Sequence, residues 1–386
     1  MPRLTDNVIM KYFQPVLLFA GTWIFVIFLL SLRLSNLLES SVNDAITFFL
    51  MVFACFTAGY LVGFLPKKKI KIGVSVVDLS LKLKNRYFLF IKIWVFLTII
   101  EIIVSGGVPV LWLLLKNGKT YFDFGIQSVH GLLNALGMML CVLSFYLFKK
   151  YKDKKYLYYM LFLIFWYVIV ISRQVIIVML MEITFIFFIM AKNKLSLIRT
   201  VAIYGFIVIF LFGIVGDMRS GADAFYELAQ PSDNWPNWLP SGFLWVYVYL
   251  TTPINNLIFN FQFEVREFSY LFPNTLSLLL PSFIRDIVFG QQDTVSGNLV
   301  TPAFNVSSAF MSSYMDMGKY GLGIFAFVIG LISNLTWWAT GSKRFFFRAI
   351  TFQCIILSIF YNHFFYLPVA FQYVWFILFF MNYKKI

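Results

Sequence analysis

The sequence predicts an all-α integral membrane protein with about ten transmembrane helices, twelve being the alternative, and with both termini in the cytoplasm. Hydrophobic residues make up 61% of the 386 residues and charged residues only 12%, which leaves too little polar surface to coat a soluble globule. Apolar runs long enough to cross roughly 30 Å of hydrocarbon recur along the chain. The Lys and Arg residues concentrate in alternate loops. These three observations define the fold class.

The predicted spans follow one another without a segment of soluble composition, so residues 1–386 are expected to form a single polytopic membrane domain. The first span is expected to remain in the chain, because no small-residue cleavage site follows it. The last two are separated only by a short turn. The ten spans are 16–32, 45–65, 87–105, 129–148, 156–171, 174–191, 200–216, 318–340, 349–365 and 367–383.

The positive charges set the predicted orientation. Of the 31 Lys and Arg residues, 22 fall in loops on the same side as the termini, 8 fall in the opposite loops, and Lys92 lies inside the third span. Cytoplasmic loops carry such a surplus, so the termini are expected in the cytoplasm. The net charge of +14 then reflects orientation and attraction to anionic lipid head groups, and nucleic-acid binding is not expected.

Two predicted extracytoplasmic loops contain apolar segments of their own. Residues 106–128 begin with helix-breaking Gly and Pro and continue with an apolar pentad, which favours a segment that dips into or lies on the membrane. The largest loop, 217–305, contains Trp residues interleaved with Pro, a composition that suits the head-group layer. Its stretches 243–261 and 268–289 are expected to be interfacial or re-entrant helices, because an acidic turn joins them. Two further spans are the alternative.

Three arginines near the outer membrane edge are candidate phosphate ligands. Arg173 lies in a hairpin turn of two or three residues, Arg219 follows the seventh span within GDMRSG, and Arg285 lies in the stretch 268–289. An Arg close to the bilayer is costly unless it is paired or faces water, and its planar fork matches two phosphate oxygens. The alternative is local pairing, of Asp217 with Arg219 and of Arg285 with Asp286.

Other polar residues in or near spans have both structural and functional interpretations. His130 and His363 are the only histidines, and each is either a base or a hydrogen-bonded residue of the interface. Glu182 lies about 13 Å deeper than Arg173 in the same helix, too far for a direct partner. It is expected to pair with another polar group, a proton site being the alternative.

A polar stripe precedes the eighth span. Ala309, Ser312, Ser313 and Asp316 share one face if residues 309–316 are helical. Small residues there suit tight helix packing, and the stripe equally suits the polar head of an amphiphile. The sequence has no GxxxxGK[ST], GxSxG or HExxH motif and no zinc-ligand spacing, so no nucleotide, metal or soluble-hydrolase site is expected.

Five motifs between about residues 100 and 330 occur in a characteristic order. They are GGVPVL after the third span, FDFGIQSVHGLLNALG at the start of the fourth, SRQ at a hairpin turn, GDMRSG with YLTTPINNL behind it, and NVSSAFMSSYMDMGKYGLG. By these motifs the chain resembles the bacterial O-antigen and oligosaccharide repeat-unit polymerases, which are related to the O-antigen ligases.

The resemblance implies a GT-C-like architecture and a metal-independent glycosyltransferase of the bacterial cytoplasmic membrane. Such an enzyme transfers a growing glycan from undecaprenyl pyrophosphate to a new lipid-linked repeat unit, with its active site facing the periplasm or cell exterior. Donor and acceptor are both undecaprenyl-pyrophosphate-linked oligosaccharides, and undecaprenyl pyrophosphate is released. No cofactor is implied. Membrane lipid and a chain-length-regulating co-polymerase are the implied partners.

The resemblance also assigns residues. Arg173 and Arg219 correspond to phosphate-binding arginines, and Arg285 is a third candidate. The ligases have a His–Asn pair where this chain has Ser307 and Ser308, which favours a polymerase and leaves the base unassigned. The candidate bases are Asp316, Asp217, Glu264 and His130, and the candidate sugar-binding residues are Trp235, Trp238, Tyr249, Asn305 and Tyr314.

Two other classes of protein remain as alternatives. A flippase of lipid-linked sugars would require charged residues along a central cavity, whereas only Lys92, Glu101 and Glu182 lie inside predicted spans. The third hypothesis is a structural scaffold for an assembly complex.

Overall fold

The computed structural model describes residues 14–65, 81–191, 222–236, 238–263, 268–290 and 297–381, together with pairs of residues between 198 and 210. Within these ranges the regular structure is helical, apart from one isolated antiparallel bridge between Ser35 and Pro231. The predicted all-α class is therefore confirmed for the described part of the chain.

Fourteen α-helices occur in the described ranges, some of them joined by 3₁₀ turns. In chain order they are α1 (Pro15–Ser31), α2 (Val42–Val62), α3 (Leu81–Ser105), α4 (Pro109–Leu115), α5 (Val129–Tyr151), α6 (Lys154–Ile169), α7 (Arg173–Met190), α8 (Ala222–Ala229), α9 (Ser241–Phe259), α10 (Pro273–Leu276), α11 (Ser282–Phe289), α12 (Met311–Trp337), α13 (Arg344–Ile356) and α14 (Leu367–Phe380). The 3₁₀ turns are Tyr121–Asp123, Asn260–Gln262, Ser277–Leu279 and Leu357–Ile359.

Several helices have the length and composition of membrane spans. Five such segments are found among the described residues, and α1 and α14 are shorter apolar helices. The five are Val42–Val62, Lys82–Leu115, Val129–Tyr151, Arg173–Met190 and Met311–Trp337. The predicted span 200–216 falls largely outside the described residues, and the predicted span 349–365 corresponds to the 13-residue helix α13 and the 3₁₀ turn after it.

The bundle has two ends that differ in composition. We call the end with the turns 32–41, 106–128 and 170–172 the loop end; the described residues between 230 and 310 and the turn 357–366 also lie there. The opposite end, with residues 63–65, 149–153 and 338–343, is the basic end. Contacts such as Asn36 N to Gln230 O (2.7 Å) join the loop end, and Arg86 Nη1 to Met381 O (2.8 Å) joins the basic end. Loops that the sequence places on one side therefore contact one another.

Helices α2 and α12 pack with their backbones in contact. A Cβ atom added to Gly59 would lie 1.9 Å from the carbonyl oxygen of Phe327, and one added to Gly330 would lie 2.1 Å from that of Phe56. Asn334 Nδ2 also donates to the Tyr60 carbonyl at 2.8 Å. Small residues at the crossing permit this close approach, as is common between helices in membranes.

Helix α12 differs from the prediction at its start. The expected helical face began at Ala309, but the helix begins at Met311, and Ala309 N donates instead to the Ser358 carbonyl at 2.9 Å. The helix then breaks at Met317 and Gly318, where Gly318 has φ 57° and ψ −140°, a conformation that side chains disfavour. Residues 311–316, which include Ser312, Ser313 and Asp316, thus form a separate turn ahead of the main helix.

Helix α9 lies along the loop end. Tyr247 Oη accepts from Leu34 N at 3.0 Å, and two turns later Asn255 Oδ1 accepts from Ser40 N at 3.0 Å. Both ends of this stretch of α9 therefore contact the same turn, and α9 is not among the segments with the length and hydropathy of a span. The stretch 268–289 contains no α-helix longer than eight residues, or about 12 Å, which is too short to cross a bilayer.

Candidate functional site

A histidine–carboxylate pair lies at the loop end. His130 is in the first turn of α5, and its Nδ1 is 3.1 Å from Glu101 Oε2 of α3. Glu101 is 1% exposed, and its Oε1 accepts from Ile126 N at 3.2 Å. The His130 side chain is 31% exposed. Nδ1 and Nε2 are the two ring nitrogens, so the contact with Glu101 leaves Nε2 as the nitrogen that can accept a proton.

The loop before α5 holds the His130 ring in place. Gly125 has φ +102°, and its N–H donates to Ser105 Oγ at 2.9 Å. A Cβ atom at Gly125 would lie 2.6 Å from His130 Cγ, so only glycine allows the backbone to approach the ring this closely. Phe124 contacts the ring edge-on, with the ring centroids 5.5 Å apart.

Helix α11 docks beside the start of α5 and brings Arg285 there. Ser128 Oγ and Ser282 Oγ are 2.8 Å apart, and Phe283 N donates to Ser128 Oγ at 3.3 Å. Arg285, three residues after Ser282, forms the local ion pair with Asp286 that the sequence left as an alternative, with Nε and Oδ1 3.0 Å apart. Both side chains remain partly exposed, at 28% and 33%.

Two short helices at the loop end expose apolar side chains. On α4, Leu113, Leu114 and Leu115 are each more than half exposed, and on α11 Phe283, Ile287 and Val288 are as well. Exposed apolar helices of this kind suit the boundary between head groups and acyl chains. The segment 106–128 therefore has the surface that the membrane-dipping prediction requires.

Arg173 is exposed at the loop end as the first residue of α7. Within the described part of the chain, its guanidinium forms no hydrogen bond or ion pair. The next residue, Gln174, lies with its Nε2 3.4 Å from His363 Nε2, and Gln353 Nε2 is 2.5 Å from His363 Nδ1. Both nitrogens of the buried His363 are thus engaged, which favours the structural interpretation of this histidine.

Contacts connect the surroundings of Arg173 and His130. Leu367, four residues after His363, packs so closely on α5 that a Cβ atom at Gly131 would lie 2.7 Å from its Cδ2. Trp375 Nε1 donates to the Leu132 carbonyl at 3.1 Å. The N-terminal ends of α5, α7 and α14 therefore meet at the loop end.

Asp316 is a fully buried anchor for α10. Its Oδ1 accepts from Asn274 N at 2.9 Å and from Asn274 Nδ2 at 2.8 Å, and its Oδ2 accepts from Thr275 N at 3.0 Å and Thr275 Oγ1 at 2.6 Å. Four donors saturate the carboxylate. This arrangement favours a structural role, whereas the sequence offered Asp316 as a candidate base.

The candidate sugar-binding residues divide by exposure. Trp235 and Tyr314 are buried, and Tyr314 Oη donates to the carbonyls of Asn260 and Phe263 at 3.1 and 3.0 Å. Neither side chain is accessible to a sugar in this structure. The accessible candidates are Trp238 at 81% exposure, Tyr249 at 45%, and the exposed Asn305.

Three of the remaining predicted residues are not described by the structure, and Glu182 is. Asp217, Arg219 and Glu264 lie outside the described residues. Glu182 is buried within α7, and its Oε1 accepts from Gln372 Nε2 at 3.0 Å, so the structural partner that the sequence anticipated is present. No group of three His, Cys, Asp or Glu side chains that could hold a metal ion occurs in the described ranges.

Sequence reasoning missed the role of Asn256, in YLTTPINNL, and of Asn260, which begins the 3₁₀ turn after α9. Asn256 Nδ2 donates to the Phe304 and Val306 carbonyls at 3.2 and 3.0 Å. Asn260 donates to Asn298 O at 2.7 Å and accepts from Asn298 N at 2.9 Å. These side chains fix the segment 298–306 on α9. Amide side chains four residues apart in an otherwise apolar stretch were the available signal, because such groups need hydrogen-bond partners when they are buried.

Comparison with known proteins gives no match: no family model, curated protein or solved structure is similar to the chain. The class is therefore defined by the fold and the site themselves. The described part of the chain is helical, with several helices long and apolar enough to span a membrane and with a cluster of polar side chains among the turns at one end.

Proposed function

We propose that this protein polymerises undecaprenyl-pyrophosphate-linked oligosaccharide repeat units at the outer face of the bacterial cytoplasmic membrane. The growing glycan is transferred to the incoming lipid-linked unit, and undecaprenyl pyrophosphate leaves. The observation that carries the proposal is the position of Arg285 on an amphipathic helix docked at the loop end, with Arg173 exposed at the same end.

The arginines would act on the leaving group. Breaking the bond between sugar and phosphate places negative charge on the pyrophosphate. Guanidinium groups held in place stabilise this charge more in the transition state than in the ground state, which lowers the barrier. Arg285 and Asp286 are both partly exposed, so a pyrophosphate can reach the guanidinium and compete with the carboxylate.

The apolar residues of α4 and α11 would bind the polyprenyl tail. Phe283 and Ile287 are exposed on the same helix as Arg285, so that one helix presents both lipid-like and phosphate-binding groups. Holding the tail fixes the position of the head group relative to the acceptor hydroxyl. Part of the entropy that would otherwise be lost in reaching the transition state is then lost on binding, which lowers the barrier. Trp238 and Tyr249 offer aromatic faces for sugar rings.

A flippase of lipid-linked oligosaccharide and an O-antigen ligase are the alternative functions. Genetics in the organism of origin separates them. In a deletion strain, loss of a polymerase leaves single repeat units on the cell surface, loss of a flippase leaves none there, and loss of a ligase leaves polymer on undecaprenyl pyrophosphate. The biochemical test is a glycan ladder made by purified protein in EDTA from lipid-linked repeat units extracted from that strain.

Replacing Arg173 or Arg285 with Lys is expected to reduce polymerisation by about 10- to 100-fold, because Lys keeps the charge but cannot bind two phosphate oxygens at once. The measurement is the initial rate of ladder formation, together with the affinity for undecaprenyl pyrophosphate. Lys319→Gln is the matched control: it removes an exposed cation on α12 near the loop end and should leave the rate unchanged.

Wild-type ladders from both arginine variants would remove these residues from the mechanism. Loss of activity in Lys319→Gln of the same size would show that general positive charge, and not a guanidinium site, is responsible.

A further inference from the structure

We propose that Glu101 and His130 form a dyad in which His130 is the catalytic base and Glu101 its positioning residue. This inference rests on the proposed function and assigns the base that the sequence left open among four residues. It is carried by geometry: a buried carboxylate from α3 meets one nitrogen of a partly exposed imidazole on α5.

The hydrogen bonds define which nitrogen is reactive. A carboxylate at Nδ1 selects the tautomer with the proton on Nδ1, which leaves the Nε2 lone pair free to accept a proton. Glu101 cannot turn away easily, because Ile126 N donates to its Oε1. The ring cannot turn away either, because the Gly125 backbone lies against it.

The helix next to the start of α5 carries Arg285, a candidate phosphate ligand. Ser128, two residues before His130, bonds Ser282 on α11, and Arg285 follows one helical turn later. The helices that carry His130 and Arg285 are thus joined at their N-terminal ends, so a base and a guanidinium lie on neighbouring helices, as a transfer between two lipid-linked sugars requires. The other candidate bases are Asp217 and Glu264, outside the described residues, and Asp316, whose carboxylate is saturated.

The proposed step is balanced without a co-reactant. His130 Nε2 takes the proton of the acceptor hydroxyl as its oxygen forms a bond to the donor's anomeric carbon. The bond from that carbon to the pyrophosphate oxygen breaks, and its electron pair leaves with undecaprenyl pyrophosphate. The Glu101 carboxylate stabilises the imidazolium until its proton passes to water.

The test uses full-length protein and lipid-linked repeat units extracted from the deletion strain. His130→Asn keeps an N–H near the position of Nδ1 but lacks Nε2, so it retains a donor for Glu101 and loses the base. The expected loss in kcat is roughly 10²- to 10⁴-fold, the usual contribution of a general base. KM and the affinity for undecaprenyl pyrophosphate should change less than about twofold, because the phosphate ligands remain.

Glu101→Gln tests the positioning role. We expect kcat to fall by about 10-fold or more at unchanged KM, with partial rescue by Glu101→Asp. Because the chain has only two histidines, ¹⁵N-histidine NMR should also show the Nδ1–H form of His130 in the wild type and its loss in Glu101→Ala. Glu182→Gln is the matched control, since it alters another buried glutamate, whose partner is Gln372 and not His130, and should leave kcat unchanged.

The outcomes separate the two proposals. A ladder from wild type and an equal ladder from His130→Asn would overturn the base assignment and leave the polymerase proposal standing. An unchanged ¹⁵N spectrum in Glu101→Ala would overturn the pairing. If wild-type protein makes no ladder and deletion leaves no single repeat units on the cell surface, the polymerase proposal fails, and the base assignment fails with it.

Discussion

Gly330→Ala is expected to destabilise the helix bundle by about 3 kcal/mol, at the upper end of the usual cost of overpacking. The added Cβ atom would lie 2.1 Å from the Phe56 carbonyl oxygen, and backbone cannot move aside as a flexible side chain can. Gly59→Ala meets the Phe327 carbonyl at 1.9 Å and should have a similar effect. Unfolding of purified protein by SDS titration, followed by circular dichroism, measures the change.

Gly21→Ala is the matched control for this prediction. Gly21 is also inside an apolar helix, but a Cβ atom there would meet nothing within 4 Å. Alanine is the better helix former, so this variant should be as stable as wild type or slightly more stable. Equal stability of Gly330→Ala and Gly21→Ala would contradict the close contact between α2 and α12.

Asp316→Ala is expected to cost about 3 kcal/mol or more, because four donors from Asn274 and Thr275 lose a charged acceptor in a buried site. Asp316→Asn, which keeps one acceptor oxygen, should fall between wild type and alanine. The measurement is the free energy of unfolding, compared with the polymerisation rate of whatever protein remains folded. A folded Asp316→Ala protein of wild-type stability and no activity would return Asp316 to the candidate bases.

Asp123→Ala serves as the control for Asp316→Ala. Asp123 is exposed, and hydrogen bonds from the backbone and hydroxyl of Thr120 hold the pKa of its carboxyl below the ordinary value. Water can replace these bonds when the carboxylate is removed, so the change in unfolding free energy should be far smaller than for Asp316→Ala. If both variants lost a comparable unfolding free energy, burial of Asp316 would not explain its effect, and the carboxylates at the loop end would contribute to stability irrespective of burial.

Some site residues were predictable and others were not. The position of Arg173 at the loop end followed from its place next to a hairpin turn of two or three residues. The pairing of Arg285 with Asp286 was available as neighbours in the sequence. The partners of Glu101 were not, because 29 residues separate it from His130 and nothing in either local sequence indicates the contact.

Asp316 also shows that contacts between distant residues are not visible in the sequence. An acid at the end of a polar stripe is typical of a functional residue, and nothing in the sequence indicates its buried partners. Its saturation depends on a turn at Asn274 and Thr275, about 40 positions earlier, and on the break at Gly318.

The class of protein was predictable from the amino-acid sequence, because the length of the apolar runs and the scarcity of charge do not depend on tertiary contacts. The helical content follows for the same reason, because backbone groups in an apolar environment must bond within their own segment. The contacts between polar groups, in contrast, became visible only in the folded chain. Hydrogen bonds act over about 3 Å and can join residues that are far apart in the chain. Folding therefore places Glu101 against His130 and Asp316 against Thr275, so the two carboxylates have different partners and different chemistry.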